Sequence, residues 1–335
     1  MGVVKEKVVE PGCIGISPEP RPLVRNAEVG FNILQQLGHQ SQFQADLSSK
    51  SSVVFNDTVL RAATMTSLPS PPFIDIPGIA NFRGVGQGYV GPGLLYRSAD
   101  PTRATSAGLE KMSKDLGIRV IYDLRSKPEI ERLGKEWEGE AVDDPNVFQK
   151  YGITRQWVPV FAEQDYGPEQ VGLRYKEYTR AGSNGFVKAY RDILVSGKDA
   201  YGTVFRHLAQ EKPTPCLVHC TAGKDRTGLL VALLFLHAGA PADVIADEYA
   251  LTDLGLAEKK PEFIERLLLN PALGGNREGV ENMVSSKREN MLATLEMIRK
   301  EYGSAGEYMK KQCRLSDAEV QRVRKNIMDG ALEKM

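Results

Sequence analysis

The sequence predicts an α/β fold, with a mainly parallel central sheet flanked by helices and a helical C-terminal part. Three observations carry this. Short β-branched runs alternate with amphipathic helical runs after residue 93, the pattern of β-α-β units. The apolar run "CLVHC" (Cys216–Cys220) passes directly into a small-residue loop and then a long apolar helix. From Met291 onward, apolar residues recur at helical spacing.

The elements follow in order. Residues 1–25 are rich in Pro, Gly and charge and have no period, so they are expected to be loose. Residues 26–66 contain "VGFNILQQL", a short helix candidate, and then a polar Ser/Gln-rich stretch. Together, 1–66 reads as a partly disordered N-terminal extension. In "SLPSPPF" (Ser67–Phe73), three prolines exclude a helix or a central strand, and the main domain is expected over 67–332. "GLLYRSA" (Gly93–Ala99) reads as a strand. "TSAGLEKMSKDLG" (Thr105–Gly117) reads as a helix capped by Thr105 or Ser106, with Leu109, Met112 and Leu116 on one face and Gly117 at its end. "IRVIYDLRS" (Ile118–Ser126) is β-branched and reads as a strand. "GLLVALLFLHAGA" from Gly228 is too short to span a bilayer and reads as a buried helix. Met291, Leu295, Ile298 and Tyr302 mark a further helix. Ser316 with Glu319 forms a capping box for the last one, and Leu315 and Val320 are placed for a hydrophobic staple.

Bulk composition excludes some functions. The 335 residues carry 43 basic and 43 acidic side chains. A neutral chain has no global field for nucleic acid or an anionic membrane surface, so any anion recognition must be local. The four cysteines, Cys13, Cys216, Cys220 and Cys313, form no CxxC pair, which points to free thiols in a reducing, cytoplasmic setting. The first residues lack the apolar core of a signal peptide. Glu6 stands where a myristoylation site needs a hydroxyl. No cofactor or metal motif is evident, and the oligomeric state is undetermined by sequence.

The loop "HCTAGKDRTG" (His219–Gly228) concentrates the chemistry. Ala222 and Gly223 let the backbone curl with N–H groups inward, ahead of a helix N-terminus, which suits a tetrahedral oxyanion. Arg226 adds a bidentate fork for two phosphate oxygens. The same field favours a thiolate at Cys220, a nucleophile beneath a bound phosphorus. Three other readings are weaker. A Walker A loop would need Gly at Val218 and a hydroxyl at Asp225. A metal set of Cys216, His219 and Cys220 is split across two strand faces. A merely structural cysteine does not account for the Arg and Thr that follow.

This loop resembles the His-Cys-x5-Arg-Ser/Thr signature of cysteine-based phosphatases. It is most similar to the atypical tyrosine/phosphoinositide phosphatases of bacteria and fungi. "NFRGVG" (Asn81–Gly86), "LLYRSADP" (Leu94–Pro101), "LGIRVIYDLRSKPEIE" (Leu116–Glu131), "APADVIADEYALT" (Ala240–Thr252) and the tail "MLATLEMIRKEYGSAGEYMKK" extend the resemblance over about residues 70–330. Gly84 departs from the family's usual Asp. The resemblance implies a protein-tyrosine-phosphatase-like fold and phosphomonoester hydrolysis through a cysteinyl-phosphate. Cys220 would be the nucleophile, Arg226 would hold the phosphoryl group, and Thr221, Ala222, Gly223 and Lys224 would build the cradle. Thr227 would serve the thiolate, and His219 would orient the loop.

No Trp-Pro-Asp acid loop is present, so the general acid is sought among Asp225, Asp123 and Asp165. Asp123 could instead brace Arg125 or Arg226. Lys224 at the loop centre would favour ligands with more than one phosphate, and Arg125 and Lys127 could extend that patch. The expected substrates are phosphotyrosine or phosphoserine proteins or phosphoinositides. The alternative is a small metabolite such as an isoprenoid phosphate or diphosphate in a fungal pathway. A catalytically dead phosphate-binding module and a rhodanese-like sulfurtransferase fit the intact loop less well.

Overall fold

Five short strands form one sheet in the computed structural model, which describes residues 68–86, 88–135, 146–162, 168–329 and 331. They are β1 (Arg83–Gly84), β2 (Leu95–Ser98), β3 (Val120–Asp123), β4 (Thr154–Trp157) and β5 (Cys216–His219), in the order β1-β2-β5-β3-β4. Strand β5 is central and parallel to both β2 and β3, and β4 is parallel to β3. Only β1 runs antiparallel, at one edge. The mainly parallel α/β sheet is therefore as the sequence predicts.

Alternation along the strands builds a core on each face. Leu95, Tyr122, Cys216 and Val218 enter the larger cluster, while Tyr96, Ile121 and Leu217 enter a second one with Leu109, Met112 and Phe148. The second face is covered by α1 (Ser106–Glu110) and α3 (Asn146–Gln149), with α2 (Lys127–Lys135) between them in the chain. Thr105 caps α1 by accepting from the Gly108 amide at 3.2 Å. The helix expected over Thr105–Gly117 continues past α1 as one wide π turn, Lys111–Asp115, and ends with Gly117 at a φ of +66°.

The remaining helices are α4 (Pro168–Tyr178), α5 (Asn184–Ser196), α6 (Lys198–Leu208), α7 (Asp225–Ala238), α8 (Ala242–Gly255), α9 (Lys260–Leu268) and α10 (Arg277–Val284), and then α11 (Arg288–Tyr302), α12 (Ala305–Lys311) and α13 (Asp317–Met328). Helix α7 is the predicted apolar helix. Leu229, Leu230, Leu233 and Leu234 on it are fully buried, each contributing about 2 kcal/mol. That burial fixes the helix whose N-terminus follows the Cys220 loop. In α11, Met291, Leu295 and Ile298 are buried as their spacing predicts. The Ser316–Glu319 capping box opens α13, with Leu315 and Val320 buried beside it. The helix candidate "VGFNILQQL", Cys13 and Asp165 lie outside the described residues. Among the described residues, no helix is long and apolar enough to cross a membrane.

Candidate active site

Parallel strands bring their carboxyl ends to one edge. Ser98, His219, Asp123 and Trp157 are neighbours in register there. The loop from Cys220 leaves the central strand at that edge and closes onto α7. Its carbonyls are tied outward to the scaffold. The Thr221 carbonyl accepts from the Asp100 amide at 3.1 Å, Ala222 from Asn81 Nδ2 at 3.1 Å, and Gly223 from Arg97 Nη2 at 2.6 Å. A trans peptide held by its oxygen on one side presents its N–H on the other. Three successive peptides so held turn the Ala222, Gly223 and Lys224 amides into the loop, an anion nest. Gly223 is required there: its φ is +64°, and a Cβ would stand 2.2 Å from the Ser98 carbonyl oxygen.

A buried charged brace stands behind the loop. Arg83 and Arg97 are fully buried and share Glu248 of α8, at 2.8 and 2.5 Å. Arg83 also donates to Thr252 at 3.0 Å and to Asn81 Oδ1. Burial pushes the Glu248 carboxyl up, but the two guanidinium groups outweigh burial and hold it below the ordinary range. Removing one member would strand a buried charge, so the brace acts as a unit. Gly84 sits beside it on β1 and has room, with Tyr96 Cε1 at 3.9 Å from an added Cβ.

Cys220 is buried at the end of β5, facing the larger core cluster. Arg226 lies in the first turn of α7 and forms a two-point ion pair with Glu129 of α2, at 2.5 and 2.7 Å. Glu129 also accepts from the Thr221 hydroxyl at 2.8 Å and from the Ser126 amide at 2.9 Å. Sequence reasoning missed Glu129, although it sits in the quoted "DLRSKPEIE". Burial pushes its carboxyl up, yet Arg226 and these donors override burial and bring it down from 4.5 to about 2. The sign follows from a depressed acid: the stabilisation is present above 4.5 and is lost as pH falls toward 2. It amounts to on the order of 3 kcal/mol. Chemical denaturation of wild type and Glu129→Gln between neutral pH and 2 is expected to converge in this window. Parallel curves would contradict it.

Asp225 opens α7 and is one quarter exposed. Its Oδ1 accepts from Lys224 Nζ at 2.7 Å and from the Tyr190 hydroxyl at 2.8 Å. Lys224 is buried rather than solvated, with its ammonium 5.0 Å from the Phe186 ring centre and 5.6 Å from that of Tyr178. Burial pulls its ammonium down, but the Asp225 charge overrides that and holds it above the ordinary range. Arg125 is likewise buried and committed to Asp123 and Asp100, so neither it nor Lys224 presents an open cationic patch. Lys127 lies on the exposed side of α2, 4.0 Å from Glu131.

Asp123 is fully buried. Its oxygens accept from Arg125 at 2.9 and 3.0 Å and from Arg155 at 2.6 Å. Burial pushes its carboxyl up, but His219 and the two arginines hold it well below the ordinary range. Both of its oxygens are thereby committed to guanidinium groups. His219 is buried, with Nδ1 3.1 Å from the Cys220 carbonyl and Nε2 3.6 Å from Asp123. Burial pushes its ring pKa down, while the Asp123 charge beside it pulls the other way. The Thr227 hydroxyl is buried with no hydrogen-bond partner among the described residues. Among those residues there is also no cluster of three metal-ligating side chains.

The family model described as "Tyrosine phosphatase family" matches residues 74–329. A triple specificity protein phosphatase of Mycobacterium tuberculosis is 27% identical over 281 residues, covering 75% of this chain and 97% of its own. A relative in Cupriavidus necator is 30% identical over 240 residues, covering 70% and 79%. A tyrosine-protein phosphatase of Nostoc commune is 27% identical over 232 residues, covering 69% and 72%. The solved Siw14 catalytic core superposes with a TM-score of only 0.30 at 16% identity, over 62% of this chain and 88% of that one. With its family match spanning more than half its length, the chain belongs to the tyrosine phosphatase family and is a protein-tyrosine-phosphatase-like hydrolase.

Proposed function

We propose that the chain hydrolyses phosphomonoesters on proteins through a cysteinyl-phosphate on Cys220. The observation that carries this is the loop itself: Cys220 and Arg226 flank a nest whose Thr221, Ala222 and Gly223 carbonyls are all held outward. In the first step the Cys220 thiolate attacks phosphorus, an S–P bond forms and the P–O bond to the leaving group breaks. Arg226 and the loop amides hold the phosphoryl oxygens and neutralise their charge. Asp225 gives its proton to the leaving oxygen. In the second step water attacks phosphorus, Asp225 takes its proton, and the S–P bond breaks to return the thiolate and release phosphate. The Thr227 hydroxyl, lacking another partner, is suited to serve the sulfur as it leaves.

The buried, paired Lys224 bears on substrate. It is not presented as a second phosphate site, so single-phosphate substrates fit best. Phosphotyrosine and phosphoserine on proteins therefore come ahead of phosphoinositides. The name of the Mycobacterium tuberculosis relative, a triple specificity protein phosphatase, supports a range of phosphoprotein substrates.

The test is the acid. Turnover of p-nitrophenyl phosphate is expected to persist in EDTA. Asp225→Asn is expected to lower kcat on an alkyl phosphate by about 10²-fold or more, because an alkoxide is a poor leaving group. On p-nitrophenyl phosphate the loss should stay within about tenfold, because that leaving group needs little help. Equal losses on both substrates would remove Asp225 from this role.

A further inference from the structure

The hydroxyls of Tyr190 and Tyr249 lie outside the loop and outside the chemistry described above. Tyr190 projects from α5 and Tyr249 from α8, and both are buried. Their oxygens are 2.6 Å apart, and Tyr190 reaches Asp225 Oδ1 at 2.8 Å. Because the Tyr190 proton goes to Asp225, the Tyr249 hydroxyl donates to Tyr190. The direction is Tyr249 to Tyr190 to Asp225. Burial, and then the Asp225 charge, push the Tyr190 hydroxyl well above the ordinary phenol range, so it keeps the proton it donates.

We infer that Tyr190, backed by Tyr249, is a positioning residue that fixes which oxygen of Asp225 handles the proton. This rests on Asp225 being the general acid. Among the described residues, both hydrogen bonds to Asp225 fall on Oδ1, from Lys224 and Tyr190, and none falls on Oδ2. Two donors occupy both lone pairs of Oδ1. The proton to be transferred is then carried on Oδ2. The arrangement serves both protonation states, because Oδ1 accepts equally as a carboxylate oxygen or as the carbonyl oxygen of the acid.

Helix α8 makes this precise in space. Glu248 holds Arg97, which grips the Gly223 carbonyl, and the adjacent Tyr249 supports the tyrosine that grips Asp225. One turn of α8 therefore sets both the curl of the loop and the pose of its carboxyl group. Among the described residues, the other ionisable groups around Asp225 are Lys224 and Arg226 beside it, Tyr178 of α4 and Tyr201 of α6. Asp253 of α8 acts on Lys224 and is itself paired with Lys260 at 2.7 Å. None of these changes in Tyr190→Phe.

The experiment compares kcat–pH profiles of full-length wild type, Tyr190→Phe and Tyr249→Phe, on p-nitrophenyl phosphate and on an alkyl phosphate. A hydrogen bond to a carboxylate favours its ionised form. Losing the Tyr190 donor is expected to move the basic limb of the profile up by about one pH unit, the scale of one charge-assisted hydrogen bond. The kcat on the alkyl phosphate should fall about tenfold, with little change on p-nitrophenyl phosphate. Tyr249→Phe should do the same to a smaller degree, and it carries the test if Tyr190→Phe does not fold. A uniform fall on both substrates with an unmoved limb overturns the inference, since packing alone would act that way. The two levels separate cleanly. If Asp225→Asn itself lacks leaving-group dependence, the acid assignment fails and this inference with it. If Asp225→Asn has that dependence and the tyrosine variants do not move the limb, only this inference fails.

Discussion

Cys220→Ser is expected to abolish turnover while phosphate binding survives. The substitution removes the nucleophile and nothing that shapes the cradle. The outward ties from Asp100, Asn81 and Arg97 engage the carbonyls of Thr221, Ala222 and Gly223, not the cysteine side chain. Serine is smaller than cysteine, so the buried position accepts it. A hydroxyl ionises far less readily than a thiol, and His219, its neighbour in the chain, has Nδ1 spent on the Cys220 carbonyl. A loss of at least about 10³-fold in kcat is expected, roughly 4 kcal/mol of barrier. Inorganic phosphate or tungstate should bind with affinity within about tenfold of wild type. A kcat within about tenfold of wild type would mean that the sulfur is not the nucleophile.

Arg226→Lys is the second large effect, expected to cost on the order of 10³-fold in kcat/KM. A guanidinium is planar and carries five donors. Here one edge is fixed by both oxygens of Glu129, at 2.5 and 2.7 Å, which sets the plane of the group over the loop. An ammonium keeps the charge but offers no plane for Glu129 to orient. It cannot hold Glu129 and two phosphoryl oxygens in one geometry. The Glu129 carboxylate would also lose half of its buried ion pair, so the variant should be less stable by about 1–3 kcal/mol. Both quantities are measurable on one preparation, by steady-state kinetics and by denaturant melts. A variant with near-normal kcat/KM would remove the two-point contact from the mechanism.

What the sequence made legible is what lies close together in it. Cys220, Lys224, Asp225, Arg226 and Thr227 fall within one loop and one helical turn, so their joint chemistry can be read without a fold. The strands β2, β3 and β5 were visible because buried parallel strands are apolar and β-branched. Strand β4 was not, because "TRQW" lies at the sheet edge, largely exposed, with no apolar alternation. Strand β1 is two residues long, below any periodic signal. The supports of the loop were hidden for a different reason. Glu129 precedes Arg226 by 97 residues, and Glu248 follows Arg97 by 151, so only the folded chain pairs them. Lys224 illustrates the converse. Its neighbours in sequence suggested an open cation for a second phosphate, but Phe186 and Tyr178 from distant helices bury it. Asp123 was visible as a carboxylate at a strand end. Its commitment to Arg155 depended on β4 pairing beside β3.

During turnover the phosphoryl group is expected to pass through a bond to Cys220. The most direct measurement is rapid acid quench of the enzyme during turnover of a phosphorus-labelled aryl phosphate, followed by peptide mapping. Label, and the added mass of one phosphoryl group, are expected on the peptide that contains Cys220. The adduct should be absent in Cys220→Ser and should accumulate in Asp225→Asn, whose second step lacks its base. Turnover with no labelled protein at any quench time, or label on a residue other than Cys220, would contradict it.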